Sequence, residues 1–205
     1  MDPKAQQSWE EFLNPEVMRP RLIAASIYIA GFEALKGSII NRIRDFYWVG
    51  FDESGEQIDP KYANEVLTRN RSPVYASLDW LRESEAIDGS DIEVFERVKR
   101  CRNRLAHDLL SVVGTEGLPA DFDQSLADMV ALLRKVEVWW IVNVEIPVDP
   151  DFDGTEEIDE AGILPGPVMN MQLLMEIALG DEEQSRFYYE EFRKKTGGGN
   201  RESQT

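Results

Sequence analysis

The sequence predicts an all-α fold, a bundle of four or five helices over residues 1–148 followed by an acidic C-terminal extension over 149–205. Three observations predict it. Apolar residues recur at steps of three and four in two long stretches, Arg21 to Phe46 and Asp121 to Glu145. Helix-opening signals stand between them at Asp59, Ser72 and Ser90. The charge is also sorted along the chain. Of 39 Asp and Glu, 13 lie between Val136 and Ser185, where there is no Lys or Arg, so the net charge of -17 is regional and the remainder sets 26 acids against 22 bases. With 205 residues, 42% of them hydrophobic, there is chain enough for one sizeable core.

Taken in order, the first long stretch places Ile23, Ile27, Ala30, Ala34, Leu35, Ile39, Ile43 and Phe46 along one helix of about seven turns. Phe46 to Asp59 mixes aromatics with Asp52, Ser54, Gly55 and Glu56, the chemistry of a short hairpin or an irregular loop. Asp59-Pro60 and Ser72-Pro73 each set an acceptor before a proline at the first helical position and open short helices, to about Asn70 and about Ser84. Ser90 and Glu93 have capping-box spacing at the head of an apolar pattern that runs to about Val113.

The last long helix buries Leu126, Met129, Val130, Leu133, Val136 and Trp140 and ends at Pro147 and Pro150. Its closing stretch, Val138 to Val142, is apolar nearly all round, which suits core or a second subunit. Asp149 to Glu160 carries seven acids and no base and reads as an exposed linker. Met169 to Leu179 and a stretch to about Lys195 read as short helices, and Gly197 to Thr205 as a disordered tail.

Composition removes several functions. One cysteine, Cys101, and one histidine, His107, cannot build a disulfide framework or a zinc cluster, and no Gly-rich phosphate loop, HExxH or GxSxG string is present, so no cofactor or metal is expected. The apolar run Leu22 to Phe32 is shorter than the roughly 18 to 20 residues a membrane span needs. With a polar start from Met1 to Glu11, this leads to the expectation of a cytoplasmic chain without a membrane partner. Against the general acidity, Arg97, Lys99, Arg100, Arg102 and Arg104 put five bases into eight residues, a place to hold a polyanion at close range.

His107 is the one imidazole available for proton transfer near neutral pH. On a helical projection Phe95, Val98, Cys101, Leu105, Leu109 and Val112 form an apolar arc that includes Arg102, while Asn103 and His107 lie on the polar side. An arginine in an apolar stripe must be paired with an acid such as Glu33 or Asp45, or bind an anion. Five residues separate Arg102 from His107, about 140° around a regular helix. The two converge only if the stem wraps, the helix distorts, or a second subunit supplies the counterpart.

The string Arg102, Asn103, Arg104, Leu105, Ala106, His107 resembles the signature of the HEPN superfamily, an arginine followed after four to six residues by histidine, in its toxin and phage-defence form. The resemblance covers residues 20 to 146 and implies a HEPN-like helical bundle that dimerises with its motif-bearing helices facing across a cleft. It further implies a metal-independent endoribonuclease that leaves a 2′,3′-cyclic phosphate. In that reading His107 is the acid/base, Arg102 holds the scissile phosphate, Asn103 orients the histidine or the backbone, and Arg100 and Arg104 grip flanking phosphates. A two-fold dimer doubles the single imidazole and the guanidiniums. An antitoxin or another regulatory protein is the further partner implied. One toxin branch carries a modifiable tyrosine two positions after the histidine, where this chain has Leu109. The competing expectation is a non-catalytic helical dimer that binds RNA or a partner protein through the same groove.

Overall fold

The structure is a computed structural model that describes residues 2–152, 154 and 157–197. It is mostly helical, with one small two-stranded sheet among the described residues. The first helix, α1 (Pro3–Leu13), is one that apolar periodicity does not announce. Asn14 ends it and opens α2 (Pro15–Phe46), its side chain accepting the Glu16 N–H at 3.0 Å. The helix thus begins well before Arg21. Pro20 sits early in it on the exposed side, and costs only the donor to the Glu16 carbonyl.

Helix α2 is the spine of the bundle. Its buried face is Ala24, Ile27, Tyr28, Gly31, Phe32, Leu35, Ile39 and Ile43, rotated from the expected stripe so that Ile23 and Ala30 turn outward. The helix is also long and apolar enough, by length and composition, to cross a membrane, and half of the apolar window is buried in this bundle. At its end Phe46 to Asp59 forms the hairpin of β1 (Trp48–Asp52) and β2 (Gly55–Ile58), antiparallel, with an irregularity between Trp48 and Gly50 that Gly50 meets at φ +141°. Lys61 N–H bonds Asp59, and a wide turn over Tyr62–Val66 followed by a tight one over Leu67–Arg69 takes the place of the regular helix expected to about Asn70. Ser72-Pro73 then opens α3 (Pro73–Glu83), as expected.

Helix α4 (Gly89–His107) is capped by Asp88, whose carboxylate accepts from Ser90 and Asp91 while Asp91 answers to the Asp88 N–H. The capping box therefore lies two residues before the predicted Ser90–Glu93 pair. The helix also ends sooner than expected. Asp108 leaves the helical region (φ -111°, ψ 24°), and the chain re-enters a turn of helix, α5 (Leu109–Ser111), widening over Val112–Glu116. Against that last turn packs α1, with Phe12 over Gly114 and Arg21 joining Glu11 (3.0 Å) to the Val113 carbonyl (3.3 Å).

Helix α6 (Phe122–Trp140) continues through a wide turn, Ile141–Glu145, into the short α7 (Ile146–Val148). Leu126, Met129, Leu133, Val136 and Trp140 are buried, and Trp80 of α3 lies flat on Trp140 with ring planes 8° apart. Much of the all-round apolar stretch from Val138 is therefore covered within the chain. Buried Glu137 accepts from Ser38 Oγ (2.5 Å) and Arg42 Nη2 (2.5 Å) of α2, and Arg42 also reaches Glu145 (2.6 Å). The carboxylate is affordable there only because these donors replace its water.

The extension turns back on the bundle. Arg134 of α6 donates through Nη2 to the carbonyls of Glu160, Ala161 and Ile163 (2.8 to 3.1 Å), and α8 (Gly166–Leu179) settles on α2 and α6 with Val168 and Met171 in the core. A Cβ on Gly31 would stand 2.6 Å from Met129 Cε and 2.7 Å from Met171 Cε, so the ends of both methionines fill the space that the glycine leaves. Helix α9 (Glu182–Gly197) completes the described chain. The tail expected to be disordered lies, after Gly197, outside the described residues.

The Ser90 hydroxyl first, then the Asp91 and Ser90 N–H groups, lower the Asp88 pKa to about 2. Its contribution to stability is present above the ordinary carboxylate range and is lost as pH falls through about 2. Asp88→Ala should therefore lower the thermal midpoint at neutral pH, with the gap from the parent narrowing in strong acid, as followed by circular dichroism. Arg134→Ala should make the peptide bonds around Glu160 the first to be cut in limited proteolysis, at the same protease dose that leaves the parent intact.

Candidate nucleic-acid interface

The core fixes the rotation of α4. Phe95, Val98, Cys101 and Leu105 are buried against α2 and α6, and the other residues take their directions from them. Arg102 falls on the α2 side. Its Nη2 reaches Glu33 at 2.7 Å, its guanidinium lies over the Phe32 ring (5.4 Å to the centroid), and its Nη1 meets Asn103 Oδ1 at 3.4 Å. The Arg102 side chain is 29% exposed, and its Nε is buried without a hydrogen-bond partner. Glu33 is held below the ordinary carboxylate range by Lys36 and Arg102, against the opposing effect of partial burial.

Arg100 and Arg104 stand about 200° around the helix from Arg102, on its solvent side. His107, seven positions after Arg100, falls on that same side, because seven residues are nearly two full turns. Arg100, Arg104 and His107 are all exposed and make one stripe along α4. His107 makes no hydrogen bond or ion pair among the described residues, and Arg100 likewise has no acid partner there. Arg104 pairs with Glu116 at 3.1 Å and Arg97 with Asp128 at 3.0 Å, both near the surface and screened.

Beside this stripe Arg97, Arg100 and Arg104 rim a shallow depression with Cys101 at its base and Pro119 and Asp121 on the opposite wall. Burial pushes the Cys101 thiol upward, which keeps it protonated and inert. Toward the helix start Arg97 and Arg100 also line a second depression with Ile92, Glu93 and Glu96, where the acids make an anion less welcome. Lys99 turns away to the Tyr75 hydroxyl at 2.5 Å.

The predicted set is thus divided by the helix. Arg100 and Arg104 share a face with His107, whereas Arg102 and Asn103 touch one another and Arg102 belongs to the α2 contact. Within one chain no contact joins Arg102 to His107. Of the three ways the motif could converge, the helix does distort, but at Asp108, beyond both residues. Arg104 and His107 in the last turn suit the negative end of the helix dipole. Sequence reading named Glu33 as a possible partner of Arg102. It did not find Phe32 beneath the guanidinium, nor Pro119 and Asp121 as a wall, since both arise from contacts distant in sequence. The ion partners of the α4 arginines are Glu33, Asp128 and Glu116, none of them in the acidic extension.

No family model matches the chain, and no solved structure matches it. Among curated proteins it is 30% identical over 76 residues to a phosphoribosylaminoimidazole-succinocarboxamide synthase of Edwardsiella ictaluri (strain 93-146). That match covers 37% of this chain and 32% of the synthase. The matched part is about a third of that enzyme's length, too little to place this chain in its family.

The Arg102–Glu33 pair is partly exposed, so its net worth is about 1 kcal/mol or less. Glu33→Gln should accordingly leave the denaturation midpoint nearly unchanged, whereas Phe32→Ala, which removes core, should cost about 3 to 5 kcal/mol in urea unfolding.

Proposed function

We propose that this chain is a HEPN-type endoribonuclease that cleaves RNA without a metal and works as a homodimer through its motif-bearing helices. The observation that carries the reading is the exposed stripe on which His107, the single histidine, stands in line with Arg100 and Arg104 and has no hydrogen-bond or ion-pair partner among the described residues. A phosphate backbone laid along α4 meets two guanidiniums and an imidazole in succession, the cations positioning the strand and the imidazole left to move protons.

In the proposed reaction the 2′-hydroxyl oxygen attacks phosphorus while one imidazole takes its proton. The bond from phosphorus to the 5′-oxygen breaks, and the second copy's imidazole protonates that oxygen, leaving a 2′,3′-cyclic phosphate and a 5′-hydroxyl. Each imidazole is used once, so a pair supplies the full acid/base set. Arg102 takes part by exchanging Glu33 for the scissile phosphate, since carboxylate and phosphate offer the guanidinium fork the same pair of oxygens. Asn103, already beside Arg102, steadies it.

A second reading, a non-catalytic helical dimer that binds RNA or a partner protein through the stripe, draws on the Arg102–Glu33 pair, which explains Arg102 without chemistry. The two readings diverge on one substitution. End-labelled single-stranded RNA incubated in EDTA should be cut to cyclic-phosphate ends, and His107→Ala should reduce the rate by about 10²- to 10⁴-fold while RNA binding changes little. Folded, dimeric protein that binds RNA without cutting it favours the second reading. Under both, Arg100→Ala should weaken binding across all sequences and lower the salt dependence by about one phosphate contact.

A further inference from the structure

We infer that helix α9 is a self-association surface, on which a second copy of this chain packs with its own α9 antiparallel. This contact is separate from the His107 face and does not depend on the ribonuclease reading. The starting point is an uncovered apolar stripe. Tyr188 and Phe192, with Tyr189, Ser185 and Thr196 beside them, recur at helical spacing along one side of α9. Tyr188 is drawn toward α8, where its hydroxyl donates to Glu176 at 2.5 Å. Tyr189 and Phe192 remain 64% and 66% exposed, and neighbouring α8 leaves Leu174 and Ile177 each 47% exposed. A helix of about 24 Å is marginal by itself in water and takes its stability from a partner on its apolar side. Within the chain α9 packs chiefly on α8, which takes up Tyr188 but leaves Tyr189 and Phe192 for a partner from outside.

Charge identifies the occupant. Acids begin the helix at Glu182 and Glu183, and bases end it at Arg193, Lys194 and Lys195. Glu182 and Arg193 flank the stripe on the same side, about 20° apart in projection and at opposite ends. Within the helix Glu182 pairs with Arg186 at 2.9 Å and Arg193 lies over the Tyr189 ring, 5.8 Å from its centroid, both at the surface where such contacts are weak and leave the charged groups open to a second partner. A parallel copy sets like charges together. An antiparallel copy sets each Glu182 against the other's Arg193, twice by symmetry, with the aromatic residues meeting between them. The helix dipole also favours this sorting of charge. It does not account for two aromatic rings left in water on the side that the charges frame.

Sedimentation equilibrium of the full chain tests the inference with three variants: Glu182→Arg, Arg193→Glu and the two together. The parent should self-associate. Each single reversal should weaken one association step by about tenfold or more, and the double swap should restore it. If the His107 face also pairs, the step is tetramer to dimer; if not, it is dimer to monomer. Circular dichroism shows that the exposed substitutions leave the helices in place. A monomeric parent, single reversals without effect, or a double swap that fails to recover would each overturn the proposal, the last two pointing to a different partner or face. His107→Ala should leave this equilibrium unchanged, so failure of the ribonuclease reading and failure of this one appear in different experiments.

Discussion

The rotation of α4 about its own axis is the constraint from which the candidate site follows. Four buried side chains, Phe95, Val98, Cys101 and Leu105, lock that rotation against α2 and α6. A core in which a single methylene is felt leaves no freedom to turn the helix. The cluster of bases that is continuous in sequence is therefore split in space. Arg102 is committed to the Glu33 and Phe32 side, while Arg100, Arg104 and His107 are committed to water. Any chemistry that needs both sets must draw them from more than one copy of the helix, or must first release Arg102 from α2.

The same packing shows what is legible in a sequence and what is not. Local signals read well. Ser72-Pro73 opens α3, Leu126, Met129, Leu133, Val136 and Trp140 are buried at the expected spacing with Val130 half-buried beside them, and the turn residues at Asp52 to Gly55 do make a hairpin. Signals with two local solutions read less well. Asp88 and Asp91 outcompete Ser90 and Glu93 for the cap because a carboxylate accepts the first N–H groups and complements the dipole as well. The apolar pattern that begins at Arg21 lies inside a helix that Asn14 and Pro15 begin. The opposed directions of Arg102 and His107 were readable from a helical projection. The ring of Phe32 under Arg102 and the Pro119–Asp121 wall were not, because both depend on how separate segments meet.

Two buried polar arrangements hold the frame that orients α4. The Tyr28 hydroxyl lies between the Val98 carbonyl (3.2 Å) and Ser125 (2.5 Å), joining α2, α4 and α6 at one point, and burial drives its pKa upward. Glu137, with Ser38 and Arg42, joins α2 to α6 further along. Each group satisfies donors and acceptors that alternative helix registers would leave unmet, so these contacts specify one arrangement of the bundle more than they add to its stability.

The contact that Arg134 makes with the extension has a different kind of consequence. One nitrogen of its guanidinium meets three backbone carbonyls and no side chain of Glu160, Ala161 or Ile163. The shape of that loop is therefore set twice, from α6 through the main chain and locally by Asp159, whose carboxylate accepts the Ala161 N–H at 3.1 Å. The exposed side chains that neither contact uses, those of Glu160 and Ala161, are free to drift in composition and charge while the path of the chain, and the landing of α8 on the bundle, stay the same. The segment that looks most like a featureless spacer is thus a place where exposed positions can vary at constant conformation, provided that one distant arginine and one local aspartate are kept.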